Sequence, residues 1–483
     1  MLEVISIALA FLIGFLLVQA FDPVRKMKPR WAAILFDAAL GAGIGIGLTS
    51  TIFLLLDVAG LASPASIFGI DIALVAVLAW HWLRTRSSSS PHSASDDAPP
   101  GFRWTWLLAL AFGIALLIAW ARLLQTAIAL PVGNWDAWAT WNLRAKFLAG
   151  PGGAWRYALS PLLNNTHPDY PLLLSAFVAR VWKASGALDT IAPGVTGLLF
   201  FAALIALLVS AVALLRSTAS ALLAGLVVFS TTSLLVWAPA QYADIPLAFY
   251  FLAAIALLFL EPSETSGGQP AMLWAGLCAG LAAWTKNEGV VFLGCLVAVC
   301  IVSTLWRRRS RADLLRVGWL LAGAALGVFL TLWLKFFLAP AADPLVTQGV
   351  SGLARLGDAS RYAEIAKGFF ENLLNLGSGV AHPLILLAIL AIALRWQVEE
   401  RDKLPAMIAA ATLVLVFLSY CLVFLITPTE LILMLQTTFD RLLLQIWPSF
   451  LLVFFVLLRR VVDTAPAVAG KRAVPRKSPA RSK

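Results

Sequence analysis

Long apolar stretches recur along almost the whole chain and are separated by short polar segments. Most have roughly the 17 to 25 residues that an α-helix needs to cross a bilayer. Charged residues are rare inside them, so each stretch is predicted to be a transmembrane helix. The sequence predicts thirteen such spans, at positions 2–20, 32–55, 64–83, 104–125, 188–214, 219–238, 244–260, 271–285, 289–305, 315–338, 379–396, 405–427 and 443–460.

The composition agrees with this pattern. Hydrophobic residues make up 61% of the chain and charged residues 13%, with a mean hydropathy of +0.88. Soluble domains are only about half apolar and carry roughly a quarter of charged residues. We therefore expect an all-α polytopic membrane protein of about thirteen transmembrane helices, with little length left for a separate soluble domain.

Basic residues gather on alternate connections between the predicted spans. PVRKMKPR (23–30), the linker around Arg103, WRRRSR (306–311) and the C-terminal tail all fall on one side of the membrane. Cytoplasmic loops are enriched in Lys and Arg, so this side is predicted to be cytoplasmic, with the N-terminus outside and the C-terminus inside. This topology explains the net charge of +11, and no nucleic-acid partner is expected.

The longest outer connection, residues 126–187, is predicted to carry interfacial helices. DAWATWNLRAKFLAG (136–150) spaces Trp138, Trp141 and Phe147 at helical intervals, which is typical of an amphipathic helix at the membrane boundary. A second apolar segment, Tyr170–Trp182, is too short to cross and is predicted to be interfacial or re-entrant.

Asp136 stands at the start of this outer segment, among tryptophans. A carboxylate at the membrane boundary has to be hydrated, paired or functional. Asp136 can pair with Arg144, cap the following helix or act in catalysis.

Two further outer turns carry polar side chains in apolar surroundings. QYADIPLAFYF contains Tyr242 and Asp244, and AWTKNEGVVF contains Lys286 and Glu288. Each turn lies at the outer end of a predicted helical hairpin, and we expect the two turns to converge with Asp136 on one cleft. Chance placement of a polar residue in a turn is the alternative, above all for Glu288.

Together these features resemble the GT-C superfamily of polytopic glycosyltransferases, in particular the protein-mannosyltransferase and aminoarabinose-transferase type. The matching positions are Asp136, Asp244, GLAAWTKNEG at 280–289 and FDRLLLQIWPSF at 439–450. The resemblance covers residues 104–460. The chain departs from the family in having three spans before the one that precedes the large loop, and in having Ala and Trp after Asp136 instead of a second acid and a Tyr.

The resemblance implies transfer of a sugar from a polyprenyl-phosphate donor, such as an undecaprenyl-phosphate sugar, to a saccharide, lipid or protein acceptor. Transfer would take place on the outer side of the plasma (inner) membrane, in glycosylation of the cell envelope. The implied organisation has three N-terminal spans and a cytoplasmic linker (1–103), a catalytic domain (104–460) and a basic, disordered tail (461–483).

Individual roles follow from this implied reaction. A carboxylate can accept the proton of an attacking hydroxyl, so Asp136 is assigned as general base. Lys286 and Arg441 are assigned to the lipid phosphate, because its growing negative charge needs cations. Pairing of Arg441 with Asp440 as an interfacial anchor is the alternative. The remaining residues assigned to substrate binding are Tyr242, Asp244, Glu288, Arg144, His167 and Asp169.

The segment THPDYP leaves a further choice open. His167 and Asp169 can bind the acceptor or, together with Asp136 and Asp244, a divalent metal ion. No spacing in the sequence specifies a metal site, so no cofactor is assigned.

Two other classes of protein compete with the transferase. A transporter or a flippase of lipid-linked saccharides also places charged groups near membrane cavities, but the chain has no clear internal repeat and most of its polar groups lie at the predicted outer surface. A purely structural subunit would leave the outer acids without a role.

Overall fold

The computed structural model describes residues 1–21, 27–86, 105–260, 269–306, 311–340 and 349–461. No β-strand occurs in these ranges, so the all-α prediction is confirmed for them. The predicted cytoplasmic linker, nearly all of the basic tail and parts of two basic loops lie outside the described residues. The helices are α1 Leu2–Phe21, α2 Arg30–Val58, α3 Pro64–Arg86, α4 Thr105–Ala129, α5 Asn142–Leu148, α6 Leu173–Ser185, α7 Ile191–Leu215, α8 Thr218–Ser230, α9 Thr232–Trp237, α10 Asp244–Phe259, α11 Gln269–Thr285, α12 Asn287–Trp306, α13 Arg311–Trp333, α14 Ala359–Leu374, α15 Pro383–Leu394, α16 Glu400–Ile426 and α17 Leu431–Leu457.

The molecule is a multi-pass membrane protein. Within the described ranges, nine helices are long and apolar enough to cross a bilayer. The pair Thr218–Ser230 and Thr232–Ala240, which is bent by 70° at its break, makes up to ten if it is counted as one span. Three shorter apolar helices, Asp244–Phe259, Ala271–Thr285 and Pro383–Leu394, occupy further predicted spans. Thirteen crossings therefore remain a prediction.

Helix α10 forms the centre of the molecule. All of its residues are buried, and it packs against α7, α11 and α17. A helix that is apolar on every side can only be stable when other helices or lipid surround it, which explains this position. Its first residue is Asp244, so the central helix begins with a carboxylate.

The segment between α4 and α7 is folded into the helical body. A π-helical turn, Ala137–Trp141, leads directly into α5, and two 3₁₀ turns, Ala154–Leu159 and Pro161–Thr166, precede α6. Helix α6 is almost wholly buried and packs against α1, α2 and α5.

Two residues of this segment do not lie where an interfacial amphipathic helix would place them. Trp135 and Trp138 are exposed, but Trp141 is buried in the core and not at the membrane boundary that its spacing predicted. Arg144 is also fully buried. Both side chains face the protein interior because α6 covers this side of α5.

Helix α17 starts earlier than the hydropathy pattern predicted. The predicted span began at residue 443, whereas the helix begins at Leu431 and continues through Pro448 to Leu457. The polar residues before position 443 are therefore part of the helix. Arg441 lies inside it and not at its outer start.

Candidate functional site

Asp136, Asp244 and Arg441 meet although they are far apart in the chain. Arg441 Nη2 donates to Asp136 Oδ2 at 2.7 Å, across a sequence separation of 305 residues. Arg441 Nε donates to Asp244 Oδ2 at 3.0 Å. The structure thus brings together two acids that the sequence assigned to one cleft and the arginine that it assigned to the lipid phosphate.

Asp244 is the most enclosed member of this network. Only 2% of its side chain is exposed, and Oδ1 accepts hydrogen bonds from Lys286 Nζ at 2.9 Å and Gln445 Nε2 at 2.6 Å. Its position at the first turn of α10 also places the negative charge at the positive end of the helix dipole. Every one of these contacts stabilises the ionised carboxylate in an apolar environment.

Asp136 is the most open acid of the network, with 31% of its side chain exposed. It makes no side-chain cap to the helical turn that follows, and its partner is Arg441, not Arg144. Both alternative interpretations of Asp136 are therefore wrong. Oδ1 of Asp136 has no hydrogen-bond partner among the residues that the structure describes.

An aromatic wall supports Arg441. Its guanidinium carbon lies 4.5 Å from the ring centre of Tyr242 and 5.6 Å from that of Trp237. The Tyr242 hydroxyl accepts a hydrogen bond from the Asp136 backbone N–H at 3.1 Å, and burial raises its pKa above the ordinary value. Tyr242 therefore connects the turn before α10 to the turn that carries Asp136.

Asp440 is not the partner of Arg441 that the anchor hypothesis required. Its Oδ2 accepts a hydrogen bond from Trp237 Nε1 at 2.6 Å, and its Oδ1 accepts one from the backbone N–H of Arg441. The side chain of Arg441 turns instead to Asp136 and Asp244, so the anchor hypothesis is wrong.

The turn between α11 and α12 contributes two charged groups. Lys286 Nζ lies 2.8 Å from Glu288 Oε1 in addition to its contact with Asp244. Only 4% of the Lys286 side chain is exposed. Glu288 is therefore part of the charged network.

Asn287, between these two residues, points to a second group of polar side chains. Its Nδ2 donates to Asp169 Oδ2 at 3.2 Å, and Lys335 Nζ approaches the same oxygen at 3.3 Å. His167 has a left-handed backbone (φ 50°) and stacks on Tyr170 with ring centres 4.5 Å apart. His167 and Asp169 thus lie in this second group and contact neither Asp136 nor Asp244.

Arg144 borders the second group from α5. Its Nη2 donates to the backbone carbonyl of Tyr170. Burial lowers the pKa of the guanidinium to about 10, against the opposing effect of the Asp169 charge. At neutral pH Arg144 is still protonated, so a charge is held in the interior.

A metal-binding set is not gathered in this part of the molecule. Among the described residues, no group of three or more His, Cys, Asp or Glu side chains could hold a metal ion. Arg441 lies between Asp136 and Asp244 and occupies an oxygen of each.

The sequence missed two neutral members of the site. Gln445 donates to Asp244 and accepts a hydrogen bond from the Tyr420 hydroxyl at 2.6 Å. The only signal in the sequence was a single amide inside the apolar stretch 443–460. Gln445 and Tyr420 are neutral, so the pattern of charged residues that predicted the topology did not single them out.

Comparison of the sequence and the fold with known proteins adds no family. The chain matches no protein-family model, no curated protein and no solved structure. Functional inference therefore depends on the geometry of the site and on the resemblance of its short motifs.

Proposed function

We propose that the protein is a glycosyltransferase of the GT-C type, which moves a sugar from a polyprenyl-phosphate carrier to an acceptor on the outer side of the membrane. The observation that carries the proposal is the contact of Arg441 with both Asp136 and Asp244. These three residues belong to separate motifs of the resemblance, and Lys286 of a fourth motif is bonded to Asp244. The four motifs of the resemblance therefore meet in one network, as the residues of a single site would.

Asp136 is the general base of this proposal. Its carboxylate is partly exposed, and Oδ1 is open to a substrate while Oδ2 is oriented by Arg441. In the reaction, the acceptor oxygen attacks the anomeric carbon and its proton passes to Oδ1. The bond between the anomeric carbon and the phosphate oxygen breaks, and its electron pair stays with the phosphate.

Arg441 is the group that meets the leaving phosphate. Nε and Nη2 are bonded to the two acids, whereas Nη1 has no hydrogen-bond partner in the described part of the chain. A guanidinium fixed by two carboxylates and two aromatic rings is preorganised, and donors that are already in place stabilise developing charge most effectively.

Lys286 supports Arg441 indirectly, through Asp244. Its ammonium group is buried and already contacts Asp244 and Glu288. We infer that the positive charge of Lys286 stabilises the phosphate from a distance, without a direct contact. Asp244 and Gln445 then act as positioning residues for the two cations.

The orientation in the membrane belongs to the same proposal. The thirteen crossings, the outer position of residues 126–187 and the cytoplasmic C-terminus together place Asp136 and Arg441 on the outer side. A transporter or flippase with the same helices would move its substrate without forming a glycosidic bond, so a transfer assay separates the two functions.

The variant Asp136→Asn tests the proposal. The amide has nearly the same shape but cannot accept the proton, so transfer should fall by roughly 10²- to 10⁴-fold, as expected for loss of a general base. The measurement is transfer of radiolabelled sugar from polyprenyl-phosphate glucose or mannose to a membrane extract as acceptor source, with the purified protein in liposomes.

Trp138→Phe is the matched control, because it changes an exposed ring beside the same turn without touching a charge. It should retain transfer, and both variants should melt close to the wild-type temperature. If a folded Asp136→Asn variant transfers sugar at the normal rate, Asp136 is not the base. A wild type that translocates the lipid without transfer would favour the flippase.

A further inference from the structure

A second group of polar side chains, here named the Asp169 cluster, lies beside the charged network and consists of Trp141, Arg144, His167, Asp169 and Asn287. Hydrogen bonds or charge contacts link Arg144, Asp169 and Asn287. Rings link His167 and Trp141 through Tyr170, at centre distances of 4.5 and 5.8 Å. The sequence assigns Arg144, His167 and Asp169 to substrate binding without saying which part of the substrate they contact.

Buried polar atoms in the Asp169 cluster lack partners. The buried atoms of this cluster that have no hydrogen bond to any described residue are Trp141 Nε1, Arg144 Nε and Nη1, His167 Nδ1, Asp169 Oδ1 and Asn287 Oδ1. Arg144 is fully buried, and Asp169 is 5% exposed. Buried polar groups are nearly always hydrogen-bonded, so several unpaired ones in one place indicate a polar binding partner.

The mixture of donors and acceptors restricts the chemistry of this partner. Arg144 and Trp141 can only donate, whereas Asp169 Oδ1 and Asn287 Oδ1 can only accept. A phosphate would face the two acceptor oxygens, and a cation would face Arg144 and the nearby Lys335. A lipid chain would satisfy none of the six atoms. Hydroxyl groups both donate and accept, so a polyhydroxylated ring satisfies both kinds of atom.

The position of the Asp169 cluster indicates which polyhydroxylated ring would bind there. Asn287 belongs to the same turn as Lys286 and Glu288, whose side chains hold Asp244 and through it Arg441. The donor sugar is covalently attached to the phosphate that Arg441 meets in the proposed reaction, and the contacts through Asp244 and this turn link Arg441 to the Asp169 cluster.

We propose that the Asp169 cluster binds the hydroxyl groups of the transferred sugar and selects the donor by them. The inference depends on the proposed glycosyltransferase function. It assigns Asp169 and Asn287 to the sugar, and not to the lipid phosphate or to a metal ion.

Lipid binding by the full-length protein in nanodiscs tests the inference. The probes are undecaprenyl phosphate and the same lipid carrying glucose, mannose or N-acetylglucosamine. At least one sugar-linked lipid should bind wild type tenfold or more tightly than the bare lipid. In Asp169→Asn and in Asn287→Ala that ratio should fall towards one, while affinity for the bare lipid changes less than twofold.

Asn372→Ala is the control, because this amide bonds to Gly368 within its own helix at 2.8 Å. It should keep the wild-type ratio, and melting temperatures should show that all variants are folded. The inference is overturned if no sugar-linked lipid binds wild type more tightly than the bare lipid, or if both variants retain the ratio. A wild type that binds neither lipid would overturn the proposed function itself.

Discussion

Asp244 shows how a charge is accommodated at the centre of an apolar molecule. Its two oxygens receive donors from Lys286, Gln445 and Arg441, and the helix dipole adds a favourable contribution. A buried ion pair does not stabilise a protein by itself, because desolvation offsets the attraction. What it does is make each partner dependent on the other, since removing one leaves a buried charge unpaired.

Asp244→Asn should therefore destabilise the protein. Two buried cations would lose a common carboxylate, and breaking a buried pair costs about 3–5 kcal/mol. Thermal unfolding in detergent should show a clearly lowered midpoint. Glu371→Gln, at an exposed position of α14, is the control and should leave the midpoint unchanged. An Asp244→Asn variant as stable as wild type would mean that Arg441 and Lys286 find other partners.

Single residues in the sequence indicated which charged side chains come together but not with which partners they pair. Asp136, Asp244, Lys286 and Arg441 stand out as charges at the ends of apolar stretches. The nearest opposite charges in the sequence, Arg144 for Asp136 and Asp440 for Arg441, are not the partners in the structure. Whether residues that are hundreds of positions apart form a pair depends on how the helices pack. That packing cannot be read from a single sequence.

At the level of helices, hydropathy predicted where the apolar helices lie but not where all of them begin and end, and the thirteen crossings remain a prediction. Apolar length is sufficient to predict a helix in a bilayer, because the backbone has to satisfy its own hydrogen bonds there. The start of α17 was misplaced because Asp440 and Arg441 interrupt the apolar run while the helix continues through them. The break between α8 and α9 at Thr231 also gave no clear hydropathy signal.

Glycine residues allow α11, the helix that ends directly before Lys286, to pack closely against α13. Helices α11 and α13 approach each other closely, and a Cβ atom added at any of four glycines would clash with the backbone of the facing helix. Small residues four positions apart permit such close packing in membranes. The four positions are Gly276 and Gly280 on α11, and Gly323 and Gly327 on α13.

Gly327→Ala should lower stability by about 1–3 kcal/mol, because the added methyl group meets the backbone of Gly280 and the helices have to move apart. Since Gly280 belongs to the same motif as Lys286, sugar transfer should also fall. Gly318→Ala is a matched control in the same helix, where an added Cβ contacts nothing within 4 Å. Equal melting temperatures for the two variants would contradict close packing of α11 on α13.

The whole molecule carries two polar networks along α17, one around Arg441 in the middle of the helix and one at its C-terminal end. Arg441 belongs to the candidate site, whereas the carbonyl of Val456, about 22 Å further along the helix, accepts a hydrogen bond from Arg216. Arg216 also pairs with Asp402 at 2.7 Å. If the site faces the outside, this second network lies on the cytoplasmic side, in agreement with the basic segments that the sequence places there.

Labelling of single cysteines tests this orientation of the whole molecule. The four native cysteines are free and lie in helices, so replacement by Ala is the appropriate background. Leu162→Cys, at a side chain that is 94% exposed, should react with a membrane-impermeant maleimide in intact cells. Lys403→Cys, near Asp402, should react only after permeabilisation.

Both test positions are exposed and make at most a surface ion pair, so neither substitution should disturb the fold. The comparison of the two sites controls for reagent access, because each serves as the other's negative control in the opposite compartment. The reverse pattern, with Lys403→Cys labelled in intact cells, would place Asp136 and Arg441 in the cytoplasm. The site would then not face the outer side, where the proposed sugar transfer takes place, and the transferase proposal would fail.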